Sequence, residues 1–173
     1  PVADMHTHYK WSQLEVTTPE AALTALRKQN ISMAVVIGTP ADLALKLEAL
    51  DPKRIVPIWS PYRAGGDWFR WALDPSTPKR ARAALASGLY QGIGELHLIG
   101  GFARRFTSES VLDKLLELVT EYDVPILIHT EFSRPTPMRR ICVAHPESKI
   151  VWAHAGAILK PHYVCEIIET CPN

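Results

Sequence analysis

Long apolar runs are missing from this sequence. No stretch approaches the roughly 20 residues that a membrane-spanning helix needs, and the short ones end in charged or punctuating residues. A role inside a membrane is therefore not expected. Charge of one sign is missing as well: 19 Lys and Arg face 18 Asp and Glu, for a formal net charge of +1. Such scattered, balanced charge argues against a nucleic-acid surface, which needs a basic patch or stripe, and leaves a small molecule as the expected partner. Cysteine is scarce. Cys142, Cys165 and Cys171 form no CxxC pair, and 3 cysteines cannot all pair within one chain, so plain thiols, buried or partly buried, are expected rather than a disulfide framework. Methionine is absent from position 1, and Pro1 leads almost at once into a strand-like run, so the natural N-terminus is read as lying upstream, with any signal peptide out of view. The location assigned by default is the cytoplasm.

What is present is 173 residues, 47% of them hydrophobic, the composition of one globular domain over 1–173. Short β-branched runs at 2–8, 32–38, 55–60, 92–98, 124–130 and 149–155 alternate with stretches of helical spacing. That alternation predicts βα units around a parallel sheet. Thr18 as N-cap and Pro19 at the first helical position open a helix that reaches Asn30. A second helix runs from about Ala41 to Leu50, and residues 66–90 hold two short helical pieces divided by Pro75 and Pro78. The helix after Ser108 has the broadest apolar face, with Leu112, Leu115, Leu116 and Val119 on it. A last helix from His162 repeats the spacing with Val164, Ile167, Ile168 and Cys171 until Pro172 stops it.

Two architectures accommodate six such units: an open doubly wound sheet, or a (β/α)8 barrel of which six units are present. The doubly wound sheet calls for a glycine-rich phosphate loop after the first strand, whereas the sequence there reads Tyr9-Lys10-Trp11-Ser12. The fold class expected is α/β, a TIM-type barrel that is incomplete.

In either fold, chemistry gathers at the carboxyl ends of the strands. Of the 7 histidines, His6, His8, His97, His129 and His154 fall at such ends. His6 and His8 are two apart on a strand, so they share a face and can hold one Zn²⁺. His129 and His154 follow runs that would otherwise be pure core. A buried imidazole without a partner is costly, so several converging on one rim imply a shared metal, water or proton network. Glu95 lies with Ile93 and His97 on one strand face and, pointing inward, can bridge two ions; otherwise it is a salt-bridge partner or supports a ligand from behind. His97 is placed as a support or substrate contact. Trp11 and Arg134 sit on rim loops, where they can hold the apolar part and the carboxylate of a substrate, or stand as solvated loop residues. Trp68, Phe69 and Trp71 are read first as local packing and second as a substrate wall.

The segments DMHTH, GIGEL, PILIHTE and IVWAHAG resemble the strand-one, -four, -five and -six motifs of the amidohydrolase superfamily. The closest likeness is to its amidohydrolase-related branch, which includes metal-dependent hydrolases and aminocarboxymuconate-semialdehyde-type decarboxylases; GIGEL is also similar to TatD-like hydrolases. The resemblance implies a divalent metal, Zn²⁺ first, in one or two copies, held by His6, His8 and His129, with Glu95 as the bridging candidate. It implies a further ligand and proton shuttle, an Asp on strand eight, which these residues do not include. His154 then serves either a second metal or acid–base chemistry, the latter favoured. The implied reaction is hydrolysis of an amide, ester or lactone-like bond. Non-oxidative decarboxylation is the alternative, and a non-catalytic barrel relic or binding module is the reading from another class. Without strands seven and eight the chain by itself is expected to be inactive, and homo-oligomer formation stays open.

Overall fold

The computed structural model describes residues 1–98, 110–130 and 134–171. In chain order its regular elements are β1 (Val2–Lys10), α1 (Pro19–Lys28), β2 (Ile31–Thr39), α2 (Asp42–Glu48), β3 (Ile55–Ile58), α3 (Thr77–Ala86), β4 (Ile93–Leu98), α4 (Val111–Glu121), β5 (Ile126–Thr130), α5 (Thr136–Ala144), β6 (Ile150–Trp152) and α6 (Pro161–Thr170).

Every strand pairing is parallel, in two three-stranded sheets of order β1-β2-β3 and β4-β5-β6. A bridge between Trp59 and Ile93 joins them: Trp59 N–H donates to the Gly92 carbonyl at 3.0 Å and Gly94 N–H to the Trp59 carbonyl at 2.9 Å. Spatial order thus equals sequence order across six strands. A doubly wound sheet reverses direction beside its first strand, whereas a barrel lays each βα unit next to the last. The fold is α/β, an incomplete TIM-type barrel.

Helix starts follow local chemistry. The Thr18 hydroxyl accepts a hydrogen bond from Ala21 N–H, with Pro19 in the first turn where its missing N–H costs nothing. Ser110 and Asp113 close a capping box on α4, whose Leu112, Leu115, Leu116, Leu118 and Val119 are buried against β4 and β5. Each such leucine, moved out of water, contributes about 1.5–3 kcal/mol. Pro78 lies in the first turn of α3 rather than dividing two helices. The sequence reading assigns no helix between the fifth and sixth strands; α5 lies there, opened by Pro135 and Pro137. Ser108 and Pro172 lie outside the described residues.

Three departures bear on the site. β1 runs on to Lys10, so Tyr9 and Lys10 belong to the strand. β6 stops at Trp152 and the chain turns through Ala153–Gly156, with His154 at φ 54° and Ala155 at φ 46°, so His154 sits on a left-handed turn just past the strand. Finally, the expectation of three plain thiols is corrected. Cys142 on α5 and Cys171 after α6 form a disulfide, Cα–Cα 5.8 Å, and Cys165 alone is free and exposed. Packing of α5 against α6, also marked by the Arg139–Glu166 ion pair, joins residues 29 apart, a proximity that spacing rules do not reveal.

Candidate metal centre

Two irregularities in the strands aim the site. In β4, Ile93 pairs with Ile126 and Leu96 with Ile128, so Gly94 and Glu95 together oppose Leu127: a β-bulge. Ile93 and Leu96 therefore join the core beneath the helices, while Glu95 and His97 face the barrel interior. The sequence expectation that Ile93 shares a face with Glu95 and His97 fails at this bulge. Gly94 makes it possible, since at φ 142° a Cβ would stand 2.7 Å from the Leu127 carbonyl oxygen. In β1, Asp4 pairs with Ala34 and Thr7 with Val36, again one residue too many, and Asp4 Oδ1 accepts the His6 N–H at 3.0 Å within the bulge. His6, His8 and Lys10 then follow at period two on the inner face, with Tyr9 outward against Leu23 and Val36. His97 and His129 are partners in register on β4 and β5, their rings stacked with centroids 4.7 Å apart.

All five of these strand-end histidines converge on Glu95, whose side chain is 2% exposed. Its Oε2 lies 3.2 Å from His6 Nε2, 3.1 Å from His8 Nε2 and 3.4 Å from His97 Nε2. Its Oε1 lies 2.8 Å from His129 Nδ1 and 3.5 Å from His154 Nε2. Burial alone would raise the Glu95 carboxyl, but hydrogen bonds from His6, His8 and His97 outweigh it and hold the group far below the usual carboxylate range. His154, its side chain 51% exposed, is pushed below the ordinary imidazole value by partial burial and by the neighbouring His6.

The donor set fits a divalent ion. His6 Nε2 and His8 Nε2 stand 3.0 Å apart and share Glu95 Oε2, so one imidazole must offer its lone pair to the other. A single carboxylate has about four acceptor positions, fewer than five rings can use. Mutual spacings of 3.0–3.2 Å match neighbouring ligands on an ion with bonds of about 2.0–2.1 Å. Buried His8 Nδ1 and His97 Nδ1 have no hydrogen-bond partner among the described residues. Two groups lie within ligand distance, His6–Glu95–His154 and Glu95–His97–His129, with Glu95 common to both.

His6 and His8 thus meet one carboxylate oxygen, and His129 meets the other. His97, expected as a support or substrate contact, is buried inside the cluster. Trp11 is exposed in the turn after β1, near Gly65, and Arg134 is exposed; among the described residues neither touches the cluster. Tyr62 escapes the residue-by-residue reading, while Trp68 and Trp71, read first as local packing, pack on His97. The Tyr62 hydroxyl, its pKa raised by burial, accepts the His97 N–H at 2.9 Å, and Trp71 Nε1 donates to the His97 carbonyl at 3.2 Å. Trp68 stacks on the His97 ring, centroids 4.5 Å apart and planes 7° apart. Nothing in the spacing of the sequence singles out Tyr62, which follows β3 in an irregular segment.

Comparison with protein families matches the family described as "Amidohydrolase" over residues 3–173. No curated protein matches the chain.

Proposed function

The chain belongs to the amidohydrolase family, and from that membership we propose that it hydrolyses an amide, ester or lactone-like bond of a small molecule. The observation that carries the reading is the convergence of five histidines on one buried carboxylate, Glu95. His6, His8 and Glu95 would hold a divalent ion, zinc being the first candidate, with His97 beside the same carboxylate oxygen and His129 on the other. When bound, such an ion polarises a carbonyl and brings the pKa of a water toward neutrality.

The chain's own residues supply the rest. Glu95, ionised and fixed by the bulge, keeps the imidazoles facing one point. Tyr62 and Trp71 clamp the backbone of His97 on both sides, so that ring cannot swing away. His154 sits past the end of β6, half exposed, where a substrate can reach its free edge. Its role in this reading is to take a proton from the attacking water and return it to the departing amine or alcohol as the carbonyl carbon–heteroatom bond breaks.

Zinc- and manganese-loaded protein that includes the natural continuation carrying strands seven and eight, assayed against a panel of esters, lactones and amides with carbon dioxide detection in parallel, tests the reading. Chelator-sensitive hydrolysis supports it. Carbon dioxide release without hydrolysis would assign decarboxylation instead, and neither activity from protein that holds a full metal equivalent would overturn both.

A further inference from the structure

We propose that Lys10 is the anion-binding half of the substrate site, so that the substrate carries a carboxylate apart from the bond that is cleaved. This rests on the hydrolase reading above. Lys10 closes the inward series His6, His8, Lys10, and Gln13 Oε1 accepts its backbone N–H, which fixes the point where the strand ends. Its ammonium lies 4.9 Å from the centre of the Trp68 ring. The same indole stacks on His97, itself a partner of Glu95. Lys10, Trp68, His97 and Glu95 thus form one continuous contact from rim to cluster.

The charge is the informative part. Lys10 is half-buried, yet among the described residues no carboxylate lies within ion-pair distance of it. The indole face gives it partial compensation only. Arg63 and Arg80, to either side of Trp68 in the chain, are paired with Asp67 and Asp74, whereas Arg70 and Arg134 are exposed and, unlike Lys10, reach none of the cluster's aromatic neighbours by any ring contact among the described residues. A divalent ion at the cluster together with Lys10 exceeds the single negative charge of Glu95, leaving the mouth electropositive and favouring an anionic ligand. A strand-end residue is also held more rigidly than the long loops of the rim, as an orienting anchor needs to be.

The test is a binding measurement that does not depend on turnover. Glutarate and its neutral diamide are titrated, by calorimetry or tryptophan fluorescence, into zinc-loaded and metal-free protein carrying Lys10, Lys10→Gln, Lys10→Met or Lys10→Arg. Glutarate affinity should fall at least about tenfold in Lys10→Gln and Lys10→Met and stay within a few-fold in Lys10→Arg. The diamide should bind all four alike. Equal glutarate affinity in wild type and Lys10→Gln, or no glutarate binding by wild type, overturns the proposal. The two neutral variants guard against a folding defect in either one, checked by circular dichroism. Lys10-dependent binding without hydrolysis of any panel compound would fault the hydrolase reading and keep the anion subsite; hydrolysis with Lys10-independent binding would do the reverse.

Discussion

At the scale of single residues, Glu95 differs from its neighbours because both ligand groups contain it. Replacing it by Gln keeps the shape and removes the charge, leaving five imidazoles to face a cation with no carboxylate between them. Glu95→Gln is expected to lower metal affinity by more than the 10–100-fold that loss of even an outer supporting group costs, as read by elemental analysis after dialysis against a weak chelator. Undiminished metal content would remove Glu95 from the ligand set. His154 is the contrasting case. It is half exposed, and its contact with the carboxylate, at 3.5 Å, is the longest of the five. His154→Ala should leave metal content largely intact and reduce turnover by roughly 10²–10⁴-fold. Loss of a full metal equivalent would instead make it a ligand. Much of this was legible in the sequence: HxH at a strand end puts two imidazoles on one face by period alone, and His129 and His154 follow short apolar runs. Trp68 was not, because stacking on His97 joins a loop to a strand and leaves no periodic trace.

At the scale of elements, the two bulges mark where reading by alternation breaks down. A pattern of period two predicts that Ile93 and Glu95 point together, and the extra residue at Gly94 separates them. Gly94→Ala should therefore cost about 1–3 kcal/mol in a denaturant titration, since the new methyl meets the Leu127 backbone, and metal content should fall with it as Glu95 is displaced. A variant as stable as wild type would show that the strand can relax there. Elements are also tied by charge: Asp51 accepts from Arg27 of α1 and from Arg54 before β3. Its carboxyl is held below the usual range, chiefly by the hydrogen bonds from these two arginines. A depressed carboxyl contributes stability above its unfolded value of about 3.9 and loses it as pH falls through the folded one. Asp51→Asn should accordingly melt below wild type at pH 7, with the gap closing under acid; a gap independent of pH would assign the effect to shape rather than charge. Caps such as Thr18-Pro19 could be read directly from the sequence. The Cys142–Cys171 bond and α5 could not, since one depends on how two helices pack and the other begins in prolines that also mark loops.

At the scale of the whole molecule, six βα units in sequence order leave the outer edges of β1 and β6 unpaired among the described residues. Beside β6 lies an apolar hollow of about 230 Å³ lined by Met138, Ile150, Trp152 and Ile167, and beside β1 another of about 220 Å³ lined by Tyr9, Ala22, Leu26 and Val36. Unpaired parallel edges above apolar hollows favour association. Purified residues 1–173 are expected to grow in mass over a roughly hundredfold range of concentration by light scattering, and Val151→Lys on β6 to reduce that growth. A strictly monomeric chain throughout would show that the edges are protected.

The bulges also divide β1 and β4 into two independent stretches of inheritance. Before the extra position, Val2 and Ala3 are exposed and Ile93 answers to the packing under the helices, whereas His6, His8, Glu95 and His97 beyond it answer to the cluster. Drift in the first stretch therefore leaves the aim of the second untouched. Removing the extra residue at Met5 or Gly94 would restore plain alternation and leave the later ligands on the face they already have, whereas deleting Thr7 or Leu96, past the bulge, would turn His8 or His97 toward the helices. Substitution scanning should find Ile93 permissive to apolar residues of similar volume, and single-residue deletions of Thr7 or Leu96 as harmful as loss of the histidines themselves.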